Sequence, residues 1–248
     1  MKSSLRKLAP SAIRPYRILR GPLRGRTIVT SLHDYPGAIL GRTERPLLDW
    51  FRLNVRRGET WLDVGAHYGY TAIALAEIVG AEGRVFAFEP SLTTVGCLNR
   101  TRALNDLPQI KIVPFGLAEA GELRVASVAM DRGMANHAFG GSASEDIYLI
   151  GFDQLWKVMN GRAVHGVKID VQGMELQALE GMSGMLAKDH PKVIIEFHAE
   201  VTRTAIVELL RRAGYRIPGS PIQALPDEMP AAYDDDRSYF FEAVPRQP

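Results

Sequence analysis

Cysteine is almost missing from this sequence: the 248-residue chain has one, Cys97. A single thiol excludes an internal disulfide framework and fits a reducing compartment. Long apolar runs are missing too. None approaches the roughly 20 residues that cross a bilayer, and the basic N-terminus lacks the apolar stretch of a secretory signal. The expected location is therefore the cytoplasm. No Ser/Gly-rich or Pro-rich linker splits the chain, and neither repeats nor low-complexity tracts occur. The remaining composition, 46% hydrophobic and 23% charged, is that of a soluble globular protein.

Acid is missing from the first 33 residues. They hold Lys2, Arg6, Lys7, Arg14, Arg17, Arg20, Arg24 and Arg26, although the whole chain nets only +2. Such an arm suits nucleic acid or an anionic membrane. The plainer expectation is a solvated extension that packs its Leu and Ile along the domain. Pro10, Pro15 and Pro22 interrupt any long amphipathic helix. Residues 1–40 are thus set apart as a basic N-terminal extension, and 41–248 as one folded domain.

Periodicity then orders the domain. Helical apolar spacing over 44–56 is followed by a short strand at 60–64 and a helix at 70–80. Strands are expected at 84–89, 110–115, 163–171, 192–198 and 238–244, and helices at 91–105, 174–186 and 204–214. Residues 116–128 read as a hairpin or short edge strand. Residues 129–146 show no period and many small residues, so a long irregular loop, either a lid or a passive insertion, is expected. This alternation predicts an α/β doubly wound fold: a mostly parallel, Rossmann-like sheet with helices on both faces and an antiparallel C-terminal strand. Ligands of such sheets sit beyond the carboxyl ends of the strands. Asp63, Glu89, Phe115, Asp170, Glu196 and His198 all end predicted strands and should surround one crevice.

The stretch "DVGAHYGYT" (63–71) joins the first of these strands to its helix. Gly65 allows a tight turn and Gly69 a close approach. Asp63 before the turn is ill suited to a diphosphate, and the spacing is not G-x-G-x-x-G. An acid there suits a ligand ammonium, while Glu89 can accept from ribose hydroxyls. An amino acid plus a ribose without phosphate describes S-adenosylmethionine. The expected cofactor contacts are Asp63, Gly65, Ala66, His67, Tyr68, Gly69, Glu89, Pro90, Ser91, Phe115, Gly116 and Asp170. The ammonium would meet Asp63, the carboxylate the N–H groups from Ala66 to Tyr70, and adenine the region of Pro90 and Phe115. Each acid also has a plain structural reading, as a helix cap or a surface strand end.

"WLDVGAHYGYTA" and "VFAFEPS" resemble motifs I and II of class I methyltransferases. "VKIDVQGMELQALEGM" (167–182) followed by "VIIEFH" (193–198) resembles the FkbM family in particular, over roughly residues 41 to 244. His67 stands where that family usually has Asn, and Gln172 where it usually has Glu. The first position calls for a residue that tolerates positive φ; the second changes a charge near the substrate. The resemblance implies O-methylation of a hydroxyl on a sugar or secondary metabolite.

An alcohol needs a place for its proton. Asp170, Glu196, His198 and His137 are candidates. His198 is the first choice as base, matched to neutral pH, with Asp170 and Glu196 orienting it or the acceptor. The same trio could ligate a divalent metal, but the mixed spacing makes this the lesser reading and no metal is assigned. Glu175 reads as a helix-start acid, Lys168 as an edge charge, and His165 and His190 as solvated. The expected partner is a small-molecule or glycan acceptor, with a homodimer allowed. A nucleic-acid methyltransferase is the alternative, against which "DVQG" stands where Asn/Asp-Pro-Pro-Tyr/Phe would. A non-catalytic cofactor-binding protein is the other.

Overall fold

A computed structural model describes residues 9–121, 123–131, 134–135, 144–199, 201–225, 229 and 232–245. The sheet is built around β3 (Thr60–Val64), whose five residues are all buried. A strand covered on both faces carries an unbroken apolar run rather than an alternating one. β4 (Arg84–Phe88) and β5 (Ile110–Val113) pair beyond it on one side. The chain then returns to place β10 (Gly166–Ile169) and β11 (Lys192–Phe197) on the other. All these pairings are parallel. β13 (Arg237–Phe241) runs antiparallel to β11, with β12 (Ser220–Pro221) at the edge. The chain reverses direction across the sheet between β3 and β10, which opens a crevice at their carboxyl ends. The α/β fold with a mostly parallel sheet and an antiparallel C-terminal strand is the one expected.

Helices cover both faces. α1 (Pro36–Leu40), α2 (Arg45–Asn54), α3 (Tyr70–Val79) and α4 (Leu92–Leu104) precede β5. α4 starts at Ser91, whose hydroxyl accepts from Thr94 N, an ordinary N-cap. α5 (Phe152–Val158), α6 (Glu175–Gly181), α7 (Ser183–Asp189) and α8 (Arg203–Arg212) follow. The single helix expected at 174–186 is two, broken at Met182 (φ −113°, ψ 14°). Gly181 there packs on the backbone of Ala118, where any Cβ would collide.

Two segments differ from their sequence reading. Within the stretch set apart as an extension, β1 (Arg14–Arg17) and β2 (Thr27–Thr30) form an antiparallel hairpin. Ile18, Leu23, Ile28 and Val29 are buried in the main core. Thr101 and Asn105 of α4 bond the β2 backbone, with Val29 N donating to Thr101 Oγ1 at 2.9 Å. The exposed arginines are the outer face of this hairpin. In the second segment, β6 (Gly116–Ala118), β7 (Arg124–Asp131), β8 (Met134–Ala135) and β9 (Ser144–Gly151) form a separate four-stranded sheet. The loop expected at 129–146 is therefore strand at both ends. Its middle, with the candidate base His137, lies outside the described residues. β9 alternates, burying Ile147, Leu149 and Gly151.

Candidate active site

A cavity of about 260 Å³ occupies the crevice. One end is apolar, walled by Phe88, Pro90, Phe115, Leu117, Ile147 and Leu149. The last two come from β9, so the small sheet forms a flap over the main one. Ser91 Oγ donates to Glu145 of β9 at 2.8 Å and ties the flap to the start of α4. At the middle of the cavity the β3–α3 turn meets Glu89. Gly65 has φ 80°, and a Cβ on it would lie 1.7 Å from the carbonyl oxygen of Asp170. Only glycine lets these two strand ends approach so closely. His67 has φ 49°, the left-handed conformation expected at that position.

Glu89 Oε2 accepts from His67 N at 2.9 Å and Oε1 from Ser91 N at 3.1 Å. Burial pushes its carboxyl up to about 7 against these two bonds. A buried carboxylate held in position beside an apolar slot matches a ribose followed by a flat base. Pro90, Phe115 and Gly116 line that slot, and Gly65, Ala66 and His67 line the adjoining turn. S-adenosylmethionine therefore fits the residues present.

Four expected contacts stand behind the cavity wall rather than on it. Asp63 is wholly buried. It accepts from Thr71 Oγ1 at 2.8 Å, and Lys168 Nζ lies 3.6 Å away. Lys168 is its register partner on β10. The cation that Asp63 answers is thus inside the protein, where the sequence reading placed a ligand ammonium. Tyr68 donates to Asp34 at 3.2 Å, and Asp34 is the one of the two that lines the cavity. Gly69 backs onto Leu98. Ser91 is engaged as cap and flap tie. The N–H groups of Gly65 and Ala66 donate to the carbonyl of Phe88, and that of Gly69 to the carbonyl of Ala66. The donors at this turn are instead in the first turn of α3, where Tyr70 and Thr71 line the cavity and no side chain caps the helix.

The far end is polar. Lys168, Asp170, Gln172, Glu196, Glu44 and Tyr70 line it. Lys168 is not an edge charge: β10 is central, and its Nζ lies 3.2 Å from Asp170 Oδ2 and donates to Gly65 O at 3.3 Å. Burial would lower its ammonium, but Asp170, Asp63 and Glu44 hold it well above its ordinary value. Burial alone would raise Asp170; Lys168 and His198 hold it well below the usual carboxylate range. Among the described residues, Glu196 has no cation within ion-pairing distance. Burial, followed by the charges of Asp170 and Glu44, pushes it up to about 8.

His198 does not line the cavity. Its Nε2 lies 2.9 Å from Asp170 Oδ1 and 3.1 Å from the Gln172 amide nitrogen, and its Nδ1 lies 3.2 Å from Asp236 Oδ1. Burial would lower the imidazole, but Asp170 outweighs it and the group is pushed up to about 9. An imidazolium at neutral pH is a donor, not a base. Glu175 is fully buried and accepts from Gly173 N, a structural tie of the β10–α6 turn. Asp170, Glu196 and His198 do bring ligand atoms within 4.8 Å of one another. Lys168 already supplies positive charge to Asp170.

Sequence reasoning did not anticipate Tyr35, Glu44, Lys168 or the side chain of Tyr70 at the cavity. Lys168 was legible as a charge within an apolar central strand, two residues from Asp170 and so on its face. Glu44 and Tyr35 precede β3 and reach the site through tertiary packing alone. Glu44 sits at φ 52° at the start of α2. Tyr70 carries a buried hydroxyl with no hydrogen-bond partner among the described residues.

Residues 63–217 match the Methyltransferase FkbM domain. The hexuronic acid methyltransferase AglP of Haloferax volcanii is 29% identical over 156 residues, 61% of this chain and 61% of that protein. A methyltransferase FkbM structure from Methylobacillus flagellatus superposes with a TM-score of 0.48 at 21% identity, over 73% of this chain and 43% of that one. The chain thus spans about three fifths of the first protein and less than half of the second. The fold likeness extends to an rRNA methylase from Streptococcus thermophilus, with a TM-score of 0.52 at 10% identity over 83% and 99% of the two chains. With its family domain covering more than half of its length, this chain belongs to the FkbM methyltransferase family.

Proposed function

We propose that the protein is an S-adenosylmethionine-dependent O-methyltransferase acting on a hydroxyl of a sugar or secondary metabolite. The observation that carries the cofactor half is Glu89, a buried carboxylate fixed by two backbone donors between an apolar slot and a glycine turn. It accepts the ribose hydroxyls. Pro90, Phe115 and Gly116 flank the base. Gly65, Ala66, His67 and the uncapped first turn of α3 hold the amino-acid end. Asp63 acts indirectly, by fixing Thr71 and Lys168.

The cofactor supplies an electrophilic methyl group on a sulfonium. The chain's own residues align the acceptor, exclude water and receive a proton. Glu196 takes the base role first expected of His198. It lines the cavity, which His198 does not, and its ionised form, the minor one at pH 7, takes the acceptor proton. His198 is a positioning residue that holds Asp170. Tyr70 and Glu44 line the same space and suit an acceptor with several hydroxyls. The relative's name, a hexuronic acid methyltransferase, supports a sugar acceptor.

Isothermal titration should show S-adenosylmethionine and its demethylated product binding at one site per chain. Turnover should then appear with hydroxylated acceptors and not with amines. Absence of binding by both cofactor forms removes the proposal.

A further inference from the structure

A second recess lies outside the cavity and shares no residue with it. Arg20, Gly21 and Arg24 of the β1–β2 turn line one side. Arg45, Asp49 and Arg52 of α2 line the other. The spacing of the last three, four then three residues, puts them on one helix face. Four arginines and a single acid, Asp49, thus line one recess. All four side chains are exposed. Elsewhere the chain holds arginines with acids: Arg26 with Glu77, Arg124 with Glu119, Arg216 with Glu242 and Arg237 with Asp234. Among the described residues, none of the four in the recess has a carboxylate within ion-pairing distance.

Convergence of like charge is unfavourable unless an anion offsets it. Arg45 aggravates it by standing in the first turn of α2, the positive end of the helix dipole. The arrangement is also built rather than accidental. Leu19 N donates to Ile39 O at 3.0 Å. Gly21 and Gly41 let the hairpin turn and the α1–α2 link interlock, with a Cβ on Gly41 falling 1.8 Å from the Arg20 carbonyl oxygen. The two arginine-bearing segments are therefore held together before any ligand arrives. Guanidinium forks match phosphate oxygens two at a time.

We propose that this recess is a binding site for a phosphate or diphosphate group, separate from the cofactor cavity. Arg45 follows directly on Glu44, which lines that cavity.

Pyrophosphate titrated into the full chain saturated with demethylated cofactor tests this. Wild-type protein should bind it, and more weakly as sodium chloride is raised. The double variant Arg24→Gln/Arg52→Gln removes two of the four guanidinium donors and should bind at least about tenfold more weakly, with cofactor affinity and circular dichroism unchanged. Arg162→Gln, an exposed arginine elsewhere, should behave as wild type. Vesicles of phosphatidylcholine with and without phosphatidic acid identify the carrier. Sedimentation that requires both phosphatidic acid and the recess arginines places the phosphate on a bilayer. Pyrophosphate binding without sedimentation places it on a soluble molecule. Either result keeps the site. No pyrophosphate binding, or equal binding by the double variant, overturns it.

Discussion

Replacing Glu196 should separate the two candidate bases, because His198 and Glu196 differ in what they face. Glu196 lines the cavity, and its carboxyl titrates at about 8. If its ionised form takes the acceptor proton, roughly a tenth of the enzyme is competent at pH 7 and roughly nine tenths at pH 9. kcat/KM should then rise roughly tenfold across that interval, with unit slope below the midpoint. Glu196→Gln should abolish the rise and lower kcat by about 10²- to 10⁴-fold, with cofactor affinity retained. His198→Asn should act differently. The imidazolium lowers Glu196 and offsets Asp170, so its removal should move the rise to higher pH while turnover survives. These groups titrate as a set, so the midpoint belongs to the cluster. A stopped assay with acceptor varied at saturating cofactor over pH 6 to 10 measures kcat and kcat/KM of all three proteins. A flat wild-type profile refutes the reasoning, as does a His198→Asn enzyme as inactive as Glu196→Gln.

Glu89, at about 7, should make cofactor binding pH-dependent. Ribose donors favour the ionised form, so the dissociation constant of the demethylated cofactor should fall roughly tenfold from pH 6 to pH 8; titration calorimetry giving the same constant at both removes the ribose contact. Lys168→Met leaves the buried Asp63 without its cation and Asp170 with His198 alone, and should cost about 3–5 kcal/mol in urea unfolding at pH 7. The depressed carboxyl of Asp170 stabilises the fold above the ordinary carboxylate range and loses that contribution as pH falls through its folded value, so the deficit should shrink in acid; a loss under about 1 kcal/mol contradicts the buried-cation account. Treatment with EDTA should leave turnover unchanged, and a loss restored by Mg²⁺ would assign Asp170, Glu196 and His198 to a metal instead.

Much of the frame was legible because strand and helix periods are local properties. "TWLDV" read as a short buried strand, and the Gly65 turn followed it. The positive φ at His67 was readable for the same reason. The hairpin at 14–30 was harder to see. Its arginines dominate composition, while only Ile18, Leu23, Ile28 and Val29 turn inward. The break at Met182 depends on Ala118, which is distant in sequence, and no local pattern announces it.

The sequence by itself determined the sheet, the turn and the presence of acids at the ends of its strands. Only the tertiary structure decided what each acid does. Cross-strand register set Lys168 against Asp63 and turned a presumed ligand contact into an internal ion pair. The lateral position of β11 let Glu196 line the cavity while His198 turned to Asp170 and Asp236. A residue type specifies the chemistry available, but charge state depends on which groups lie within a few ångströms and how far water is excluded. Those are properties of the folded chain.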